Sequence, residues 1–331
     1  MSTSINDVVF EVYGEFLRRQ EKDLKTIAGM SMSSRIKKAM KNPFLLFTWP
    51  LRKIYGKLKA RYDYCTNDYI RRLRNANRTP ESMNIFTPTQ KKFPDAKIAV
   101  YTVITGGYDD LKDPVYIDDD IDYYVVTDSS AVITHRGGGG GHTWRAIPVP
   151  ARLDGLSNVK KQRYIKLHPD EILPEGYDYT VYIDGSFRIT CDIKPLVYSL
   201  IDDGRTIAMH MHYLRDCIYD EAAACFAGGV LTYEATRQQM DFYRSQGMPE
   251  HFGLPESPVI IRKCNDIELH GIMNDWWKEI ERFTHRDQLS LPYVLWKNGK
   301  DISYIYSLGG NVWKNPCFLY YVHKRFKNLQ G

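Results

Sequence analysis

The sequence predicts an α/β fold, a mostly parallel sheet flanked by helices, with an N-terminal helical extension. Three observations carry this. Continuous β-branched runs, fit for strands buried on both faces, end abruptly in an acid or in glycine. Segments of helical periodicity lie between them, the alternation that builds a parallel sheet with helices on both faces. The 331 residues are 43% hydrophobic, enough for one large α/β domain with additions.

Residues 6–28 read as an amphipathic helix. Val9, Val12, Phe16, Leu24 and Ile27 recur at helical spacing among charged residues, and no proline interrupts them. Such a helix cannot bury its stripe alone, so a partner helix is expected, for instance in a homo-oligomer. Residues 35–78 carry 13 Lys or Arg against two acids, Asp63 and Asp68, although the whole chain is only +5. A basic block on a mildly acidic body implies an anionic partner. Phe44, Phe47, Trp49, Leu51 and Ile54 beside Arg52, Lys53 and Lys57 are the composition of a helix lying in a membrane interface. A solvated helical face packed on the main domain fits equally well. Nucleic acid is not an expected partner, because no recognition motif accompanies the charge.

The expected organisation is thus an amphipathic helix over 1–34, a basic aromatic segment and linker over 35–95, and the main domain over 96–331. Six cysteines without a C-x-x-C pair argue against a zinc site and a disulfide scaffold, and for reduced thiols in a cytoplasmic protein. No basic region followed by an apolar run opens the chain, so no signal peptide is expected. The apolar cluster 43–51 is far shorter than the roughly 20 residues that span a bilayer.

Lys97–Thr105 is fit for a buried first strand. It ends in Gly106-Gly107-Tyr108-Asp109, where glycines let the backbone approach a ligand closely, although no dinucleotide or Walker motif is present. Tyr123–Asp128 is a second strand ending in an acid. Residues 137–141 are five glycines, read as a flexible spacer. Leu156–His168 looks helical, with Ser157 or Asn158 near its start and Lys160, Lys161, Arg163 and Lys166 on more than one face. Tyr179–Ile183 delivers Asp184, Gly185 and Ser186 to the carboxyl edge of the sheet, where such folds bind ligands. Thr206–His212 is a further strand with His210 and His212, read as satisfied structural histidines before metal ligands or acceptor contacts. An Ala-rich helix follows Arg215. Val259–Arg262 is a short strand, residues 266–283 form a helix, and the next helix begins near Arg286.

Several segments in order resemble one family: Tyr101–Asp109, Arg163–Lys166, Tyr179–Ile189, Arg215–Ala222, Gly253–Glu256 and Arg286–Ser290. Over about residues 97–300 the chain resembles the TOD/MUCI-type glycosyltransferase-like domains of the GT-A superfamily. The resemblance implies a GT-A-like, Rossmann-type fold whose first half binds a nucleotide sugar. Thr105, Gly106, Tyr108, Asp128, Arg163, Lys166 and Asp184 would then contact the donor. Asp184 and Ser186 would hold Mn²⁺ or Mg²⁺ in place of the usual Asp-x-Asp, although a hydroxyl is a poorer ligand than a carboxylate. Asp287 and Gln288 resemble an Asp-Gln pair near the donor sugar. Asp287 and Glu256 are the candidate general bases, with Asp220 and Glu221 behind them.

The implied activity is transfer from a nucleotide sugar, with UDP as the expected nucleotide, to a glycan or lipid-linked glycan in surface polysaccharide synthesis. The implied location is the cytoplasm, peripheral on the inner face of the membrane. The alternative is a non-catalytic nucleotide- or carbohydrate-binding scaffold at the membrane surface.

Overall fold

The computed structural model describes residues 86–136, 143–227, 230–321 and 323. The helix expected over 6–28, the basic block over 35–78 and the glycine run 137–141 lie outside the described residues. The described residues fall into two compact units. Tyr219–Arg237 belongs to the first, and within it Cys225 Sγ lies 3.3 Å from Glu221 Oε1. The rest belongs to the second.

The second unit is built on a seven-stranded sheet in the order β3-β2-β1-β4-β7-β6-β8. The strands are β1 (Ile98–Ile104), β2 (Ile121–Thr127), β3 (Trp144–Pro148), β4 (Tyr179–Ile183), β6 (Ile207–Met211), β7 (Pro255–Lys263) and β8 (Tyr306–Gly310). A separate small sheet pairs β5 (Phe187–Ile189) with β9 (Phe318–Tyr320). The helices in chain order are α1 (Ser130–Arg136), α2 (Asn158–Leu167), α3 (Lys194–Asp203), α4 (Ile218–Ala227), α5 (Tyr233–Ser245), α6 (Ile267–Arg282) and α7 (Leu291–Lys297).

β1 pairs in parallel with β2 and β4, β2 with β3, and β6 with β8. β7 alone runs antiparallel, against both β4 and β6. The sheet is therefore mostly parallel, as the strand–helix alternation predicts. Tyr101, Val103, Tyr182, Met209 and Ile260 face one core, which α2, α6 and α7 close with Ile165, Trp276 and Val294. Val100, Val125, Val181 and Ile261 face the other, closed by Leu196 and Leu200 of α3. Burial on both faces is why these strands read as unbroken apolar runs.

β7 is nine residues, twice the expected strand. Its first half, Pro255-Glu-Ser-Pro258, carries no apolar run. Proline is tolerated there because Pro255 opens the strand and the β6 pairing is irregular beside it. Ser157 caps α2 and Asp266 caps α6, so both helices begin where their sequences place a side-chain acceptor.

The carboxyl end of α2 is secured from the sheet. Arg262 is 3% exposed and donates Nη2 to Lys166 O (2.7 Å) and to the Tyr101 hydroxyl, and Nη1 to Leu167 O (3.2 Å). A cation at the last carbonyls of a helix suits the dipole and satisfies acceptors that have no intrahelical partner.

Candidate functional site

The carboxyl ends of β1, β2, β4 and β6 share one edge of the sheet. Because β7 is antiparallel, its amino end lies there too. This edge therefore gathers Thr105–Asp109, Asp128, Asp184–Ser186, His212 and Pro255–Ser257.

The glycine turn after β1 is held from both sides. Gly106 N donates to both carboxylate oxygens of Asp128 (3.0 and 2.8 Å), and Thr105 Oγ1 donates to Asn158 O (2.8 Å). Gly106 has φ 63°, and a Cβ there would come within 2.1 Å of Asn158 Nδ2. Asp128 therefore shapes the turn, and it remains exposed at the edge.

Asp184 is half-buried beyond β4. Its Oδ1 accepts from the Tyr182 hydroxyl (2.5 Å) and, more weakly, from Gln162 Nε2 (3.4 Å). Burial raises the Tyr182 pKa well above its usual value, so this hydroxyl stays a donor. Asp184 Oδ2 has no hydrogen-bond partner among the described residues. The carboxylate is thus oriented through one oxygen and presents the other.

Ser186 does not share that position. It is 2% exposed, and its carbonyl accepts from Tyr321 N (2.7 Å) as the chain after β9 passes over it. Ser186, expected beside Asp184 as a metal ligand, is thus a buried residue. The acids beside Asp184 come from elsewhere. Asp109 lies against Gly185, where a Cβ would stand 3.3 Å from Asp109 Oδ2. His323 Nδ1 is 2.9 Å from the same oxygen, and its ring packs 4.7 Å from that of Tyr108. Lys112 Nζ donates to Gly185 O (2.7 Å). Asp184, Asp109 and His323 do not bring three ligand atoms within reach of one ion as they stand, so Asp184 is the carboxylate here with an oxygen left to offer a cation.

Lys166 and Asp287 are brought together, but with each other. Lys166 Nζ donates to Asp287 Oδ2 over 2.5 Å, and both side chains are buried. Ser257 Oγ donates to the same oxygen (3.0 Å), Gln288 N to Oδ1 (3.0 Å), and Arg163 Nε stands 3.6 Å away. Burial alone would raise the Asp287 pKa. The charges of Arg163 and Lys166 outweigh it and hold the carboxyl well below the usual range. Asp287, the expected general base, is thus a buried carboxylate that anchors Lys166, Ser257 and the Gln288 amide. Lys166 is likewise removed from donor contact by its burial. Gln288 is buried and donates Nε2 to Pro255 O (3.0 Å), which ties its turn to β7.

Arg163 connects the two carboxylates. It donates Nη1 to Gln162 Oε1, and Gln162 reaches Asp184. Gln162, Arg163 and Lys166 are spaced to share one side of α2, which aligns them along this edge.

Glu256 is buried on β7, and its Oε2 accepts from Val312 N (3.1 Å). It fastens the turn after β8 and is enclosed, so its placement does not suit a general base. His210 Nε2 accepts from Asn315 Nδ2 (2.9 Å), and burial pushes its pKa down to about 3. His212 Nδ1 accepts from Leu214 N and Arg215 N (3.1 and 3.0 Å). His212 is satisfied, whereas the buried Nδ1 of His210 has no hydrogen-bond partner among the described residues. Asp220 and Glu221 lie in the first unit. Among the described residues, no helix is long and apolar enough to cross a membrane.

Gln162, Tyr182 and Asp109 lay within segments already singled out, but their roles are visible only in the fold. His323 lies beyond the resembling stretch, and nothing in its spacing marks it.

A relative from Arabidopsis thaliana, "Probable hexosyltransferase MUCI70", is 29% identical over 126 residues, which are 35% of this chain and 21% of that protein. The chain thus spans about a fifth of that relative's length. Solved structures are similar at low identity. The galactosyltransferase LgtC, crystallised with donor and acceptor sugar analogs, is 14% identical over 67% of this chain and 86% of its own, with a TM-score of 0.38. Mouse xyloside xylosyltransferase 1 is 11% identical over 63% and 83%, also with a TM-score of 0.38. The family model described as "TOD1/MUCI70, glycosyltransferase-like domain" matches residues 64–308, beginning upstream of the resembling motifs. That match covers well over half of the chain, and the chain belongs to the TOD1/MUCI70 glycosyltransferase-like domain family.

Proposed function

We propose that this chain transfers a sugar from a nucleotide-sugar donor, with UDP as the nucleotide, to a glycan or lipid-linked glycan acceptor in polysaccharide synthesis. The observation that carries the reading is Asp184, oriented through Oδ1 with Oδ2 unpartnered at the carboxyl edge of β4. Family membership and the hexosyltransferase name of the Arabidopsis relative support it.

The nucleotide lies over the Gly106 turn, with Asp128 at the ribose side and Tyr108 flanking it. Asp184 would hold a divalent cation through its unpartnered oxygen, and that cation when bound would neutralise the diphosphate charge. Lys112 adds positive charge next to Gly185. The bond from the anomeric carbon to the diphosphate oxygen breaks as the bond to the acceptor oxygen forms. Neither expected base is available, since Asp287 is saturated and Glu256 enclosed. The acceptor proton therefore passes to the departing diphosphate oxygen, which points to retention of anomeric configuration. Attachment to a membrane surface through residues 35–78 belongs to the same proposal and rests on their basic, aromatic composition.

The test is thermal shift with UDP, GDP, CMP or TDP, each with Mn²⁺, Mg²⁺ or EDTA, on wild type and Asp184→Asn. A ligand that binds only the folded state raises Tm by mass action. A metal-dependent shift with UDP that is lost in Asp184→Asn supports the proposal. No nucleotide response, or an equal response in the variant, overturns it. The burial of Ser186 where the family pattern expects a second acid favours one other reading, a binding scaffold without turnover. Nucleotide binding with no sugar transfer from any donor would select it.

A further inference from the structure

We infer that Cys191 and Cys317 are a disulfide-forming pair that clips the β5–β9 sheet closed beside the site. They are separated by 126 positions, yet their sulfurs lie 2.6 Å apart. The backbone brings them together. β5 and β9 pair antiparallel through Ile189 and Phe318, and beyond that pair Thr190 N donates to Cys317 O (3.0 Å). Cys317 is the residue just before β9, and Cys191 is the second residue after β5. Thr190 Oγ1 donates to Pro316 O (2.6 Å), and Cys317 N to Asn315 Oδ1 (2.9 Å), so both approaches are fixed. The two thiols also converge on one acceptor, Asp192 O, at 3.7 and 3.9 Å. Among the described residues no cysteine, Cys191 and Cys317 included, is in a disulfide as it stands.

The co-reactant is a small disulfide such as oxidised glutathione. The Cys191 thiolate attacks one of its sulfurs and releases one reduced thiolate, giving a mixed disulfide. The Cys317 thiolate then displaces the second, leaving the Cys191–Cys317 bond. Two protein thiols lose two protons and two electrons, and one small disulfide becomes two thiols. Burial and the neighbouring Cys191 thiol raise the Cys317 pKa.

The bond would act on the segment that completes the site. β9 has three ladder residues, and from it Tyr321 covers Ser186 and His323 reaches Asp109. Closing the clip holds that segment in place, and opening it leaves β9 to its hydrogen bonds and ring contacts. The state follows the ratio of oxidised to reduced small thiol, whatever nucleotide the site takes.

The test uses the full chain equilibrated with excess oxidised glutathione, then alkylated and mapped by mass spectrometry. The expected product is one cross-linked peptide pair joining Cys191 to Cys317, lighter by two hydrogens. Dithiothreitol should lower Tm by roughly 5–10 °C in wild type and in Cys264→Ser, and have no effect in Cys191→Ser. Alkylation of both residues after oxidation, glutathione on each without a cross-link, or a Tm indifferent to dithiothreitol overturns the inference. The wild-type peptide map decides by itself if Cys191→Ser does not fold.

Discussion

Replacing Asp287 with alanine should be among the most destabilising single changes in the sheet unit. The carboxylate is 2.5 Å from Lys166 Nζ. At that separation and an effective dielectric near 20, the gross attraction is about 6–7 kcal/mol. Desolvation of both ions cancels most of it, so the net worth of the pair is small. The variant, however, keeps the cost and loses the gain. It strands an ammonium whose side chain is 1% exposed, and Ser257 Oγ loses its acceptor. The expected loss is about 3–5 kcal/mol, a Tm drop of roughly 6–20 °C. Lys166→Met should cost less, because Arg163 still stands 3.6 Å from the carboxylate. The double variant Asp287→Leu/Lys166→Met should return to within roughly 2 kcal/mol of wild type, since no charge is left unpaired. Urea unfolding followed by tryptophan fluorescence and circular dichroism reads all three, with an unchanged m-value as the control. A loss below about 1 kcal/mol in Asp287→Ala, or a double variant as unstable as the sum of the singles, would refute the reasoning. The pH dependence has a definite sign. The folded-state pKa lies below the unfolded value of about 3.9, so this stability is present above that pH and is lost as pH falls below it.

Gly106→Ala should cost roughly 1–3 kcal/mol and weaken nucleotide binding, because φ 63° and Asn158 both oppose a Cβ; unchanged Tm and affinity would remove the turn from the site. Arg262→Met should lower stability by roughly 2–4 kcal/mol by orphaning the Lys166 and Leu167 carbonyls, read by urea unfolding. His210 should make the protein acid-sensitive. Its pKa falls from 6.5 in the unfolded chain to about 3 when folded, so stability is full above pH 6.5 and declines as pH falls toward 3. A His210→Gln variant should show a flatter stability profile between pH 6.5 and 4.

The strands at the centre of the sheet were legible because both of their faces are buried. β1, β2, β4 and β6 appear as apolar runs within one or two residues of their true ends. The helices α2 and α6 were legible as well, and Ser157 and Asp266 cap them in the structure. Elements whose pairing is local to one edge were not. β5 and β9 are three residues each, and β3 opens at a half-buried edge, so none carries a periodic signal. The first half of β7 is hidden by its prolines. The Cys191–Cys317 contact was invisible for a related reason, since a separation of 126 positions leaves no spacing to recognise.

The site divides along a different line. Asp184, Asp287, Lys166 and Arg163 are all charged residues near apolar segments, and the sequence assigns every one of them to ligand. The fold separates them by how completely their hydrogen-bonding capacity is met. Asp287 receives Lys166, Ser257 and its own neighbour's backbone amide, and it has nothing left to offer a substrate. Asp184 receives donors on one oxygen and keeps the other at a half-exposed edge. A carboxylate that costs desolvation is tolerated in a core when it is saturated, and at a sheet edge when it remains partly solvated. Partner satisfaction is a property of the packing of α2 against β4 and β7. It depends on residues 121 positions apart in the case of Lys166 and Asp287, and composition or spacing does not encode it. The carboxylate to pursue as the ligand-binding one is therefore the acid that the fold leaves short of a partner, Asp184.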